Sequence, residues 1–562
     1  MREIILGLWD GHDAGAALLI DGRLACAINE ERLTRRKLEI AFPRLAIAAC
    51  LKQAGIRADQ IHQVAACTTD PAKTLTRLLP ATKERYYQVR RHLIEPSPLD
   101  PWTQTAKRII TRWPGNAATR QLSELALRRE LHHLAIPAPI TWHDHHRSHA
   151  ATAAFGLGLN ETLVVTLDGV GDGRSGSLYR FDDGRLAPLA SVAARDSLGS
   201  FFECVTRLLH LRELEDEGKV MALADHAPEI DPKDNPLLDL FAIDGLGIRA
   251  NGRDIEGAVR RIHWRYPNET LAAMAQQALE TWVVTWIGHA LAATGLRRVA
   301  LAGGIFANVR LNGMIRRLPG VERCYVFPHM GDGGLAVGAA CLAATQVTLP
   351  LMEYLFVGPE AGAEAIEAAL ARSDLPHRRC ADPVAEAARL LIGGGILGWH
   401  QGRMEYGPRA LGGRSVLARP DLPGLRERLN RRLKRRAWYQ PFCPAMLDGE
   451  AERLLEDHHG PPDRCMTSLY RLRPAYRGVL AEVSGAEGRC RPQMVPEEDP
   501  GRYARLLHAM RAATGLGVVL NTSFNPHGEP LVNTPEEALR ALVTMGLDHL
   551  VIGDWIVDRR DE

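Results

Sequence analysis

One pattern, a strand running into an acidic glycine loop and then a hairpin, occurs twice in this chain. Leu6–Trp9 is apolar and runs into Asp10-Gly11-His12-Asp13, after which Ala16–Ile20 and Arg23–Ile28 flank the turn pair Asp21-Gly22. Thr162–Leu167 runs into Asp168-Gly-Val-Gly-Asp-Gly173, and Ser177–Phe181 leads to Asp183-Gly184 and again to Arg-Leu-Ala. Short strands around Asp-Gly predict hairpins with type I′ turns, in which both central residues take positive φ. A lone Asp-Gly pair means a turn; two matched copies at strand ends predict an internal duplication and a bilobal fold. Gly-rich turns expose backbone N–H groups to phosphates, so a nucleotide clamped between lobes is the expected ligand.

This arrangement resembles the superfamily of actin, hexokinase and the heat-shock chaperone ATPases. The chain of 562 residues exceeds one domain of ~100–200 residues. A connector around Thr345–Gly358, followed by an Ala/Glu-rich helix at Ala361–Ala371, divides it into expected domains 1–350 and 351–562. Lys+Arg 69 against Asp+Glu 67 leaves a net charge of +2. That balance supplies no global basic field, so neither a nucleic acid nor a membrane is an expected partner. No apolar run approaches the ~18–20 residues of a spanning helix. The first residues lack a signal-peptide pattern, and the expected location is cytoplasmic. The ten cysteines are scattered without a CxxC pair and read as reduced, buried thiols.

In Asp144-His-His-Arg-Ser-His149, followed by an Ala-rich helical run, His145 and His149 stand at i, i+4 and share a helix face. With the strand-end carboxylates of Asp168 and Asp332 they make a set suited to iron(II) or a similar divalent metal; the alternative is a pair of histidines on a polar surface. Leu301-Ala-Gly303-Gly304 before Asn308 reads as a glycine loop opening a helix, a place for a phosphate. His12 lies in the first glycine loop, as a base for a hydroxyl proton or as a cap of that loop. Lys219, in Glu-Gly-Lys, is a phosphate contact or part of a solvated turn.

His12-Asp13, Glu30–Lys37, the HxxxH pair, Glu217–Leu223, Leu301–Asn308 and Met330–Gly334 together resemble the NodU/CmcH family of O-carbamoyltransferases over nearly the whole chain. The resemblance implies an α/β, actin-like (TsaD-like) N-terminal domain and a YrdC-like C-terminal α/β domain. It further implies His145, His149, Asp168 and Asp332 as iron ligands, His12 as the base that activates the acceptor hydroxyl, and ATP and carbamoyl phosphate as substrates.

In the C-terminal third, Arg409 and Arg414 lie on a Gly/Pro-rich loop and are expected to act as a planar clamp for oxyanions. Asn521-Thr522-Ser523 ends a strand and offers amide and hydroxyl donors to an acyl phosphate, or serves a packed turn. The run Arg431–Arg436 reads mostly as a solvated face. Gly407–Ser415, Leu520–Asn525 and Gly528-Glu-Pro530 fit the family well, while Ala437 and Gln440 replace its usual Glu and second Arg. Glu482-Val-Ser-Gly-Ala486 stands for a usual His-Val-Asp-Gly-Thr, and Arg491 is kept.

The expected activity has two stages. Carbamoyl phosphate and ATP, with Mg²⁺, give carbamoyl adenylate near Arg409, Arg414, Lys434, Arg491 and Ser523; His12 then assists attack by a hydroxyl of a small-molecule or glycan acceptor. The Gly303-Gly304 loop, with Lys219 and Asn308, is expected to hold the nucleotide. A homodimer is compatible with the sequence. The competing readings are a tRNA threonylcarbamoylation enzyme and a non-catalytic nucleotide-binding regulator. The segment Thr68–Arg129 reads as a polar, basic helical insertion without a motif.

Overall fold

The computed structural model describes residues 2–351, 356–434, 437–458 and 460–560, apart from the side chains of residues 101, 108 and 432–434. The backbone separates into two compact units, Met1–Glu30 with Leu38–Glu353, and Glu31–Lys37 with Tyr354–Glu562. Residues 31–37, which the sequence division leaves in the first domain, therefore cluster with the second. Their arginines explain it: Arg32 donates to the Gly407 carbonyl at 2.8 Å, and Arg35 donates to the carbonyls of Leu531 and Pro530 at 2.5 and 2.7 Å. Arg35 also pairs with Glu529 and Glu537, each at 3.2 Å. Part of the expected connector, residues 352–355, lies outside the described residues.

In the first unit, β1 (Ile4–Trp9), β2 (Gly15–Ile20), β3 (Arg23–Asn29), β4 (Gln63–Cys67) and β5 (Ile140–His143) form a sheet of order β3-β2-β1-β4-β5. A second sheet contains β6 (Thr162–Gly171), β7 (Arg174–Asp182) and β8 (Arg185–Ala193). After a separate hairpin of β9 (Phe241–Asp244) and β10 (Gly247–Ala250), β11 (Arg298–Ala302) and β12 (Arg323–Val326) complete it in the order β12-β11-β6-β7-β8. Both sheets consist of an antiparallel three-stranded meander extended by two parallel strands on its first strand. The duplication read from the sequence is thus a duplication of topology. Its two turns have the expected backbone, with φ of 48° and 76° at Asp21-Gly22 and of 46° and 70° at Asp183-Gly184.

Two helices exchange sheets. His145–Leu157 follows β5 of the first sheet but packs on β6, β7 and β11 of the second; Leu335–Ala343 follows β12 of the second but packs on β1, β2 and β4 of the first. The helices also pack on each other, closely enough that a Cβ on Gly338 would stand 2.0 Å from the Ser148 carbonyl oxygen. Every residue of His145–Leu157 except Arg147 is buried. This exchange brings the start of one helix, with its histidines, beside the strand-end loops of Asp168 and Asp332. Between β4 and β5 stand four helices, Pro71–Leu78, Pro80–Arg90, Asp100–Ile110 and Ala117–His133, the helical insertion expected at Thr68–Arg129.

The second unit is built on a mixed eight-stranded sheet. Its strands are β13 (His377–Arg379), β14 (Leu397–His400), β15 (Arg414–Ala418), β16 (Cys443–Leu447), β19 (Gln493–Val495), β20 (Val518–Ser523), β21 (His549–Ile552) and β22 (Trp555–Asp558); β17 (Tyr470–Arg471) and β18 (Arg489–Cys490) pair apart from it. The sheet order is β13-β22-β21-β14-β15-β20-β16-β19. Neighbouring residues serve opposite faces: Val416 and Leu520 join the core containing Ile366 and Leu542, while Leu417 and Val519 join that containing Leu391 and Leu507. Gly393 closes the helix Pro383–Ile392, and β14 begins at Leu397. Thr534 caps Pro535–Met545 with a reciprocal bond to Glu537. Among the described residues no helix is long and apolar enough to cross a membrane.

Candidate metal centre and active site

Asp144 starts the helix His145–Leu157 by accepting from the Arg147 N–H at 2.9 Å, which fixes the first turn and points His145 and His149 one way. Their ring centroids lie 4.8 Å apart. His145 Nε2 is 3.1 Å from Asp168 Oδ2 and 3.6 Å from Asp332 Oδ1; His149 Nε2 is 3.7 and 3.4 Å from the same two atoms. One ligand atom from each of the four residues lies within 4.8 Å of all the others. The backbone holds the remaining edges: the Gly304 N–H donates to Asp168 Oδ1 at 2.9 Å, and the His145 N–H donates to Asp172 at 2.9 Å. Gly171 lies against the His145 ring, where a Cβ would come within 2.3 Å of it.

Burial opposes charge on both histidines, yet Asp332 and Asp168 push His145 up to about 9 and also raise His149. Against the opposing effect of desolvation, the half-buried Asp168 is held well below the usual carboxylate range by His145 and His149. Both ring nitrogens of His149 and Oδ1 of Asp332 are buried with no hydrogen-bond partner. Buried polar atoms of this kind need a partner, and two imidazoles with two carboxylates match a first-row divalent ion. The residues therefore fit the metal that the family resemblance implies.

His12 Nε2 stands 3.2 Å from Asp332 Oδ2, so the two oxygens of one carboxylate face the metal group and the candidate base respectively. Burial holds the His12 imidazole below its ordinary value, against the opposing pull of Asp332 and Asp168, which favours the neutral ring. Gly303 and Gly304 flank this group, with Gly304 serving Asp168. Asn308 is committed elsewhere: its Oδ1 caps Val309–Arg316 by accepting from the Leu311 N–H at 3.2 Å, and its amide pairs with Gln276. Lys219 pairs with Asp216 at 2.7 Å.

In the second unit Arg409 and Arg491 are electrostatic neighbours; burial first, then Arg491, pushes the Arg409 guanidinium down to about 9. Arg491 Nη2 lies 3.0 Å from Cys443 Sγ, and Nε of both arginines is buried without a partner. Arg414 is fully buried; its Nη1 donates to the carbonyls of Gln401, Gly402 and Gly413, and its acidic neighbours are Glu405, Glu360 and Glu537. The arginine whose charge acts on Arg409 is Arg491, and Nε and Nη2 of Arg414 are likewise buried without a hydrogen-bond partner. Asn521, Thr522 and Ser523 pair in β20 with Leu417, Val416 and Ser415 of β15. Asn521 Nδ2 donates to Ala410 and Gln493, while its buried Oδ1 has no partner. Lys434 ends a helical turn begun at Leu429; its side chain, and Arg435 and Arg436, lie outside the described residues. Gln440 accepts from Asn430 Nδ2 at 3.4 Å through its backbone carbonyl.

The descriptions Carbamoyltransferase N-terminus and Carbamoyltransferase C-terminus match residues 4–341 and 388–559. The chain belongs to the carbamoyltransferase family. Nodulation protein NolNO of Sinorhizobium fredii is 32% identical over 98% of this carbamoyltransferase and 79% of its own length. Nodulation protein NolO of Bradyrhizobium diazoefficiens is 32% identical over 74% of this chain and 79% of its own. Among solved structures, the activator of the 2-hydroxyisocaproyl-CoA dehydratase from Clostridium difficile aligns with a TM-score of 0.33 and 12% identity, covering 60% of this chain and 94% of its own. The ROK hexokinase from Thermus thermophilus aligns with 0.31 and 16%, covering 61% and 98%. Family membership makes the protein a carbamoyl-transferring enzyme and removes the reading as a non-catalytic regulator.

Sequence reasoning gave no role to two residues that brace the candidate site. His329 Nε2 lies 2.9 Å from Asn29 Oδ1, and Asn29 Nδ2 donates to the carbonyls of Asp13 and Gly333. This buried set ties the His12 loop to the Asp332 loop. No local spacing signals it, since its members come from opposite ends of the unit.

Proposed function

We propose that this carbamoyltransferase is an ATP-dependent O-carbamoyltransferase with a TsaD-like first unit and a YrdC-like second unit. Its second unit forms carbamoyl adenylate, and its first unit transfers the carbamoyl group to a hydroxyl of a small molecule or glycan. Atom balance requires carbamoyl phosphate, ATP and water to yield carbamoyl adenylate, pyrophosphate and phosphate. Arg409 and Arg491, with unpartnered donors, and the Asn521-Thr522-Ser523 strand end offset the charge of the reacting phosphates. In the first unit His145, His149, Asp168 and Asp332 would hold a divalent metal, which would supply positive charge to offset that of a phosphate. The acceptor hydroxyl attacks the carbamoyl carbon, the bond to the AMP oxygen breaks, and the hydroxyl proton passes to His12 Nδ1. That nitrogen is the available one because Nε2 faces Asp332.

The observation that carries the reading is the division of Asp332 between His12 and the metal group, which sets a neutral base beside a cation site. The test is pyrophosphate release from ATP by the purified protein with ferrous iron, with and without carbamoyl phosphate. Release that depends on carbamoyl phosphate without any acceptor is expected. Its absence from protein that folds and binds ATP would overturn adenylate formation.

A further inference from the structure

The helical insertion between β4 and β5 has no counterpart in the duplicated half. The equivalent connection, from β11 to β12, carries a 3-10 turn and one short helix, Val309–Arg316. The duplicated sheet topology forms without such an insertion in the other half, and beside His12 the insertion adds positive charge. Most of that charge is matched. Asp10 receives Arg77 through two bonds of 2.9 and 3.0 Å and Lys73 at 2.8 Å, and Lys83 donates to the Asp10 carbonyl. Arg90 pairs with Glu203 and Glu213 at 2.5 and 2.7 Å.

Lys107 differs. Its Nζ lies 3.6 and 4.2 Å from the ring centroids of Tyr86 and Tyr87, and among the described residues no carboxylate pairs with it. Burial disfavours its ammonium, as do Arg90, Lys83 and Lys73, with Asp70 pulling the other way. Tyr87 in turn meets the His12 ring edge-on at 5.6 Å. A cation placed among cations and aromatic faces, next to a catalytic base, is stabilised by an incoming oxyanion.

We infer that Lys107, set against Tyr86 and Tyr87 beside His12, recognises an oxyanion of the acceptor, so that the carbamoylated hydroxyl belongs to a molecule bearing a carboxylate or phosphate group. The inference rests on the assignment of His12 to the acceptor site. A nucleotide phosphate would present the same chemistry, and the experiment separates the two sources.

The metal-loaded full chain is labelled by reductive methylation with formaldehyde and cyanoborohydride, and modification of Lys107 is followed by peptide mass spectrometry. The probes are inorganic phosphate, methyl β-glucuronide, its neutral partner methyl β-glucoside, and AMP. Phosphate and the glucuronide are expected to slow labelling of Lys107 while the glucoside leaves it unchanged. Lys107→Met is expected to weaken phosphate binding, measured by calorimetry, by roughly 10–100-fold, the span for a charged hydrogen bond. Protection by AMP alone would give the oxyanion to the nucleotide and overturn the acceptor assignment. Equal protection by both glycosides, or by none of the probes, would overturn charge recognition itself. Labelling of the unmodified chain does not depend on the folding of a variant. Pyrophosphate release in the same preparation reports separately on the two-stage reaction.

Discussion

The two units handle buried charge in opposite senses. The first gathers His145, His149, Asp168 and Asp332 and leaves both ring nitrogens of His149 and one Asp332 oxygen without a hydrogen-bond partner. The second sets Arg409 beside Arg491 and leaves a guanidinium nitrogen of each unsatisfied. A buried group without a hydrogen-bond partner costs about 1–3 kcal/mol, and these groups lie among the residues proposed to bind ligands. The two sets differ in the sign of charge they would accept: imidazoles with carboxylates a cation, guanidinium groups an anion. Arg414 differs in having acidic neighbours, though its Nε and Nη2 are also without a hydrogen-bond partner.

The largest expected effect separates the units completely. His12→Asn should lower carbamoyl transfer to an acceptor by roughly 100–10,000-fold, the usual contribution of a general base, while pyrophosphate release continues. A parallel loss of both would break the division of labour. Conversely, Arg491→Met should lower pyrophosphate release by roughly 10–100-fold, measured at limiting carbamoyl phosphate, and leave the metal content per chain unchanged. Gly171→Ala sharpens the first-unit half of the comparison. The new methyl must displace the His145 ring, and metal affinity, followed by competition with a chelator, should fall roughly 10–100-fold, as for other changes that misorient a ligand.

The smallest effects concern pH and carry opposite signs. In the second unit, burial and then Arg414 hold His400 well below its ordinary value of 6.5. Its contribution to stability is present above 6.5 and is lost as pH falls below it, because the unfolded chain then binds the proton more readily. In the first unit, burial and then Glu203 push Glu217 from 4.5 up to about 8. Between those values the folded chain holds a proton that the unfolded chain releases, so stability falls as pH rises towards 8. Thermal midpoints from pH 5 to 8.5 should show Glu217→Gln gaining on the parent as pH rises and His400→Gln gaining as pH falls. Parallel curves for either variant would remove that residue from the account.

Local chemistry made some features legible in the chain itself. Asp21-Gly22 and Asp183-Gly184 announced their hairpins because few residue pairs tolerate two successive positive φ values. The spacing of His145 and His149 announced a shared helix face, because 3.6 residues make a turn. The bracing of Asp13, Asn29 and His329 has no such local rule, nor does the meeting of Arg409 with Arg491, or of Lys107 with the His12 loop.

By itself, then, the sequence determined the repeated strand and turn units, the faces of the helices and the residue types able to bind a metal or an oxyanion. Tertiary structure decided which of them meet. Two helices pack on each other's sheets, and that exchange brings the helix bearing His145 and His149 to the strand-end loops of Asp168 and Asp332. Residues 31–37 leave the first unit because Arg32 and Arg35 find carbonyls and carboxylates in the second. The physical reason is one of range: turns and helix faces follow from dihedral preferences within a few residues, whereas a site assembled from positions 12, 145, 168 and 332 exists only after distant segments bury their apolar faces together.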